Sequence, residues 1–287
     1  MPCSAVITIM NVCAAPKVLI VYAHQEPKSF NGALKDTAVR VLTQKGCGVQ
    51  VSDLYAMGFK ATATKEDFLG GVSPDHFRYA QEAGKAWKEG KLSKDIVEEQ
   101  KKLSAADLVI FQFPMYWFSM PAILKGWMDR VLTYGFAYTY PGFYEKAPFA
   151  AQKKKAVLSF TTGGPQTMYQ PNGINGDMNV ISWGMQHGIL HFCGFQVLAP
   201  HIVYGPASAS NEARVSMLAD WTRRLETLWD EKPLRFLSED KFDMTVGFTM
   251  KPEVMNEYLN VPSGPTTGQH LGKPLPENNQ TESADKV

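Results

Sequence analysis

The chain has 287 residues, 45% of them hydrophobic and 20% charged, with a formal net charge of +1; this is the size of one large domain, or one domain with a small appendage, and the composition of an ordinary globular enzyme. The balanced charge excludes the electrostatic footprint of a nucleic-acid or anionic-membrane binder, and no apolar run reaches the length of a membrane span. The four cysteines (Cys3, Cys13, Cys47, Cys193) show no CxxC spacing and are too sparse for a disulfide framework, which implies a reducing compartment.

Residues 1–16 are mildly apolar, and the first positive side chain is Lys17. Lacking the basic start of a signal peptide, they read as an N-terminal extension, and a cytoplasmic location is expected. Val18 to Ala23 forms a strand apolar on both faces, the mark of a buried parallel strand. It runs into His24–Asn31 and then a helix to about Gln44, with Ala33, Leu34, Ala38, Val41 and Leu42 on its buried stripe and Gly46 as its stop. A second strand spans Gly48 to Leu54, so the chain opens β-α-β with a right-handed crossover. Residues 58–92 are an excursion with helical patterns near 65–70 and 79–90. Ser93 caps a helix from Lys94 to Leu103.

The next strand, 107–113, is a nearly continuous apolar run. Pro114 cannot donate to a ladder and ends it, and Pro121 opens a helix to Thr133. The short loop between the prolines carries Tyr116, Trp117 and Phe118. These rings either line a cleft for a flat aromatic ligand or cover the sheet edge. An aromatic loop, Phe136–Tyr140, follows. A fourth strand, Lys155 to Thr161, ends in Thr161-Thr162-Gly163-Gly164 and a glycine-rich loop to about Gly176. A helix covers roughly Met178 to Phe192 and stops at Gly194, and Phe195 to Tyr204 is the fifth strand. Asn211 caps a helix to about Trp229 with Met217, Leu218, Trp221, Leu225 and Leu228 on one face. Beyond Glu231 periodicity fades, and 232–287 read as a tail that wraps a neighbouring surface and becomes disordered from about Pro274.

Five strands with long crossovers fit a doubly wound α/β sheet of flavodoxin-like order 2-1-3-4-5. Its switch point falls between the first and third strands, so the loops leaving them, His24–Asn31 and Pro114–Phe118, flank the expected ligand crevice. The first loop lacks GxGxxG and GxxxxGK[ST] and is neither a Rossmann fingerprint nor a P-loop. It does offer His24, Ser29, Asn31 and a helix N-terminus, which suit a phosphate or pyrophosphate. The glycines at 163 and 164 let backbone approach a planar ligand. In a flavin site such donors stabilise the reduced ring as an oxyanion hole does. His187 and His191 have the i, i+4 spacing of a metal pair, but no third ligand matches, so no metal is expected.

Val18–Asn31, Ser52–Met57, Glu99–Leu103, Asp107–Arg130, Thr161–Gly164, Gly176–Asn179 and His191–Leu198 together resemble the NAD(P)H:quinone oxidoreductase (DT-diaphorase) family, over residues 17 to about 273. The resemblance implies a homodimer with FAD at the subunit interface, in a catalytic domain spanning 17–231. It implies two-electron reduction of quinones by NAD(P)H in a ping-pong scheme. By position, His24, Phe30, Asn31 and Arg214 would hold the adenine and pyrophosphate end. Pro114, Met115, Tyr116, Trp117 and Phe118 would flank the ring with Thr161, Thr162, Gly163 and Gly164. Tyr169 and Asn175 would be the catalytic pair, with Tyr169 near the N1–O2 edge. Tyr138, Thr139, Tyr140, Phe143, Phe192 and Phe248 would close the substrate pocket, several of them from the partner. Three departures stand out. Asn175 replaces the histidine of one branch and matches a second branch that prefers dihydronicotinamide riboside. Phe236 falls at the approximate place of a cysteine that, with the counterparts of His187 and His191, holds a metal in that second branch. Arg78 falls where the first branch has a glutamine near the adenine. The long tail belongs to the first branch, which favours NAD(P)H as donor. From another class, a flavodoxin-like one-electron carrier or a flavin-stabilised interaction protein is the alternative; carriers are usually acidic, and the charge of +1 speaks against one.

Overall fold

The computed structural model describes residues 14–277 and 280–282; the predicted extension up to residue 13, Cys3 and Cys13 among it, lies outside the described residues. Strand β1 (Lys17–Tyr22) is central. It pairs in parallel with β2 (Gly48–Asp53) on one side and β3 (Leu108–Pro114) on the other, and β3 pairs with β4 (Lys155–Thr162). The order β2-β1-β3-β4 places the reversal between β1 and β3, as the sequence predicts. Alternate residues of each strand feed two separate cores. Leu19, Val21, Val109 and Phe111 face α3 (Lys94–Ala105) and α4 (Ala122–Val131) through Leu103, Trp127 and Val131. Val18, Ile20, Leu108 and Ile110 face α1 (Phe30–Gln44) and α7 (Asn211–Thr227) through Leu34, Val41, Trp221 and Leu225. Burial on both faces explains the unbroken apolar runs.

Three details differ from the sequence reading. The fifth strand is broken. Its first part, β5 (Gln196–Val197), pairs with Lys155 and Ala156, and its second, β6 (His201–Tyr204), pairs with Ser159 to Thr162. The register slips by one residue between them, a bulge at which Pro200, lacking an N–H, costs no ladder bond. Beyond the single turn α5 (Pro148–Ala151), the helix predicted over 178–192 starts as α6 (Met178–Met185) and continues as a π-helix over Gln186–His191. The cap of α7 is Ser210, whose hydroxyl accepts from the Ala213 N–H at 3.2 Å, rather than Asn211. The excursion over 58–92 carries α2 (Tyr79–Glu89) and is pinned by buried Arg130. That guanidinium holds Asp67 bidentately (3.1 and 2.8 Å), Asp95 (2.7 Å) and the Lys60 carbonyl (2.9 Å).

The tail begins inside the core. Leu234 is buried and its N–H donates to the Val197 carbonyl at 2.8 Å, so the predicted boundary at 231/232 falls within a packed segment. Farther on, a short hairpin (β7, Phe242–Asp243; β8, Thr249–Met250) and α8 (Pro252–Glu257) lead back to the body. Gly268 lies against Trp183 so closely that a Cβ would sit 2.2 Å from the indole. Past Pro274, where disorder is predicted, Thr281 still donates to Asn179 at 3.3 Å; residues 278–279 and 283–287 lie outside the described residues.

His187 and His191 stand in the tail–body contact. Trp183 stacks on His187 at 4.4 Å, Phe236 stacks on His191 at 4.5 Å, and Tyr144 lies within 5.2 Å of both rings. Burial holds both imidazoles neutral, with pKa values pushed down to about 4, and His201, stacked on Trp221, down to about 3. An unfolded histidine protonates near pH 6.5. The unfolded chain therefore binds more protons than the folded one between about pH 6.5 and 4, and stability is full above that window and falls as pH drops through it. Calorimetry from pH 7.5 to 4 is expected to show an acid limb of at most about 1.4 kcal/mol per pH unit per histidine. His187→Phe is expected to flatten it, and an unchanged limb in that variant would contradict the assignment.

Candidate functional site

A cleft of about 650 Å³ opens beyond the carboxyl ends of β1, β3 and β4, with His24, Phe30, Asn31, Pro114, Met115, Tyr116, Thr161, Thr162, Gly163 and Arg214 in its wall. Its floor is set by Asn31, buried in the first turn of α1. The Asn31 amide donates to the Thr161 hydroxyl at 2.9 Å, and its carbonyl oxygen accepts from Gln112 Nε2 at 2.9 Å. The chain Gln112–Asn31–Thr161 thus ties α1 to β3 and β4. Because the Thr161 oxygen accepts, its own proton is free to donate elsewhere. Ser29 caps α1 by accepting from Gly32 N–H at 3.1 Å. Only glycine fits at position 32, where a Cβ would lie 2.0 Å from the Pro27 carbonyl oxygen.

Among the described residues the wall carries His24, Lys28 and Arg214 and no carboxylate. Glu26 N–H donates to His24 Nδ1 at 3.0 Å, and burial lowers the imidazole pKa. Neutral His24 is thereby fixed with its proton on Nε2. Arg214 gives single bonds to the Pro206 carbonyl (3.4 Å) and Asn211 Oδ1 (3.2 Å), leaving further N–H groups for an anion. Together with the N-terminus of α1, this is a phosphate-binding arrangement.

The loop after β3 is a tight hairpin. Tyr116 and Ser119 exchange N–H···O bonds of 3.0 Å in both directions, with Trp117 (φ 50°) and Phe118 (φ 60°) at its tip. Two left-handed central residues define a type I′ turn, which normally takes Asn-Gly. Aromatic residues there are strained, and such strain concentrates at ligand sites. Trp117 is 96% exposed, so its ring covers nothing within the chain. Tyr116 is steadied by Gln25, whose amide donates to its hydroxyl at 3.2 Å.

The loop after β4 faces the same cleft. A Cβ on Gly163 would meet nothing within 4 Å, whereas one on Gly164 would lie 2.5 Å from the Met168 sulfur. Gly163 therefore leaves room for a ligand, and Gly164 for the loop's own packing. Tyr169 ends a 3₁₀ turn (Gln166–Tyr169) and packs against Tyr204 at 5.8 Å; burial pushes Tyr204 up to about 12. Asn175 is held in the loop by its N–H, which donates to the Met168 carbonyl at 2.9 Å.

The residues expected to close the substrate pocket lie elsewhere in the chain. Phe143, Phe192 and Phe248 share a cavity of about 320 Å³ between body and tail. Phe143 and Phe192 stack at 5.7 Å, Tyr138 packs on Phe192 at 5.5 Å, and Tyr140 on Phe143 at 6.1 Å. Thr139 is spent on a turn, donating by backbone and hydroxyl to the Gly142 carbonyl at 2.8 and 3.2 Å. Among the described residues none lines both this cavity and the cleft. Among the described residues no group of three or more His, Cys, Asp or Glu is placed to hold a metal, and Phe236 occupies the space beside His187 and His191. Sequence reasoning missed Gln112, Lys28, Tyr144 and Glu239. Gln112 had a signal, as the lone polar side chain in the run Leu108–Phe113.

This geometry is that of a flavodoxin-like protein with a cleft at its strand-order reversal, and a model of the flavodoxin-like fold matches residues 16–225. The chain is 52% identical to NAD(P)H dehydrogenase [quinone] 1 of Rattus norvegicus over 273 residues, 94% of this chain and 99% of that protein. It is 57% identical to ribosyldihydronicotinamide dehydrogenase [quinone] of Homo sapiens over 222 residues, 77% of this chain and 95% of that protein. A crystal structure of a Klebsiella pneumoniae protein described as a quinone reductase superposes with a TM-score of 0.78 at 41% identity, covering 83% of this chain and 95% of that one. The chain belongs to the NAD(P)H:quinone oxidoreductase family. Membership implies a flavin cofactor, and the open Cβ position of Gly163, the cationic wall and the exposed aromatic turn fit one.

Gln112→Glu replaces the donor to Asn31 with an acceptor. The Asn31 amide then turns over, and Thr161 donates inward rather than into the cleft. Flavin titration of the apoprotein is expected to show weaker binding by about tenfold, the worth of roughly one hydrogen bond. Thr161→Val is expected to do the same, and the double variant to add little to either. Additive losses would contradict the relay.

Proposed function

We propose that the chain reduces quinones to hydroquinones by two-electron hydride transfer, with FAD as its flavin and NAD(P)H as donor, in a ping-pong cycle. The observation that carries this reading is the cleft at the strand-order reversal, with an anion-binding end at His24, Lys28 and Arg214 and a stacking turn at Trp117–Phe118. When bound, FAD supplies hydride acceptance and donation. The chain's own residues do the rest. His24 Nε2, Arg214 and the α1 N-terminus hold the pyrophosphate, and Phe30 and Asn31 line that end. Trp117, Phe118 and the Thr161–Gly164 backbone would hold the ring. Tyr169 and Asn175 would donate hydrogen bonds to one edge of the ring, and Asn175 would do so without ever becoming cationic.

The protein works as a homodimer in this reading. The cleft and the aromatic cavity do not meet within one chain, while Trp117 (96%), Tyr140 (67%) and Phe248 (46%) stand exposed. A partner subunit would bring the cavity of one chain to the stacking turn of the other. We assign a cytoplasmic location, where the free thiols of Cys47 and Cys193 would stay reduced.

Asn175 and the identity to the riboside-dependent relatives favour dihydronicotinamide riboside as donor. The tail favours NAD(P)H, because the alignment with the rat enzyme runs on through it. Ending the chain after Leu237 keeps Leu234 and Phe236 in place but removes the hairpin and α8. This truncation is expected to lower kcat/KM for NADPH by about tenfold or more, and for the riboside by less than about threefold. Equal losses would refute the tail's role in donor choice.

A further inference from the structure

The sheet face beneath the cleft carries a row of polar side chains that the quinone reductase reading does not use. Register sets Gln112 of β3 beside Ser159 of β4, and Ser159 beside His201 of β6. Side chains at matched positions of parallel strands leave the sheet on the same face. That face is otherwise apolar. Ile110 and Val157 stand two residues before Gln112 and Ser159, Val203 stands two after His201, and all three belong to the core under α1 and α7. Trp221 roofs the row. Its indole stacks on His201 at 4.2 Å, and its Nε1 donates to the Leu34 carbonyl at 3.2 Å, spanning from α7 to α1.

Each member of the row has one buried atom without a hydrogen-bond partner among the described residues: Gln112 Oε1, Ser159 Oγ and His201 Nε2. A bare polar atom in a core is costly, and buried polar groups nearly always find a protein partner or an ordered water. Water is held where two to four such atoms converge. Neighbouring strands stand about 4.8 Å apart, a gap that one water bridges. The row also continues the bonds of the cleft. Gln112 donates to Asn31, and Asn31 donates to Thr161. That direction needs a donor at Gln112 Oε1. A serine hydroxyl and a water can each give or take, so neither sets it. His201 is held neutral by burial and carries a single ring proton, so its tautomer decides which way the row runs.

We propose that Gln112, Ser159 and His201 hold a buried water, and that His201, with its proton on Nε2, is a positioning residue whose hydrogen bond into this row keeps the Thr161 hydroxyl turned toward the cleft. The proposal rests on the flavin reading for what Thr161 meets, but not for the water or the tautomer.

The test has two arms on the full chain. Nitrogen-15 NMR of the wild type is expected to show His201 as a single tautomer protonated on Nε2, with an Overhauser contact from that proton to a bound water. A proton on Nδ1, or an Nε2 proton without a water contact, would overturn the proposal. The second arm is titration with FAD. His201→Phe keeps the stack on Trp221 but has no N–H, whereas His201→Gln loses the stack but carries an amide donor at the place of Nε2. The Phe variant is expected to bind FAD about tenfold more weakly than the wild type, and the Gln variant to stay within about threefold. A purely packing role reverses that order, so a Phe variant that binds as tightly as the Gln variant overturns the proposal. Should either variant fail to fold, the NMR arm decides alone. A wild type that takes up no FAD would refute the flavin reading, and the NMR arm would still decide the water and the tautomer.

Discussion

The side chain of Asn31 is the bond on which the site depends. One amide, buried at the start of α1, joins Gln112 in β3 to Thr161 in β4. Those strands leave the sheet on one side of the switch point and α1 starts on the other, so this contact fixes the width of the crevice. A buried amide with both ends satisfied is rigid, because any displacement leaves a polar atom without a partner. It also sets a direction. Gln112 gives to Asn31, Asn31 gives to Thr161, and Thr161 is left with a proton to give. A planar, anionic cofactor entering between the cationic wall and the glycine opening would meet a hydroxyl that is ready to donate.

Much of this was legible in the sequence. Runs apolar on both faces marked the central strands, and the reversal between the first and third placed the crevice at His24–Asn31 and Pro114–Phe118. Three adjacent aromatics in a short loop marked the turn after β3 as unusual, although no local rule places two left-handed aromatic residues at a hairpin tip. What stayed hidden was what depends on partners remote in sequence. The bulge in the fifth strand shows only when its register against β4 is counted. The π-helix has the same apolar periodicity as an α-helix over so few residues. Glu239 lies in a stretch without periodicity, and its burial follows from where the tail returns to the body.

The tail separates this chain from a simple flavodoxin-like domain. Its first residues complete the core through Leu234, and Phe236 fills the space beside His187 and His191. The cluster of Trp183, His187, His191 and Phe236 makes the tail's attachment apolar and aromatic, with both imidazoles neutral. Such packing lets the tail wall a pocket rather than hang from the body.

The central claim is a flavin in the switch-point cleft that takes two electrons from a nicotinamide donor and passes them to a quinone. An anaerobic titration of the FAD-loaded protein with NADPH, followed by visible absorbance, tests it most directly. The account predicts that one equivalent bleaches the flavin spectrum in a single two-electron step and that a quinone then restores it. A protein that cannot be loaded with FAD, or one that NADPH reduces through a long-lived one-electron spectrum, would contradict it.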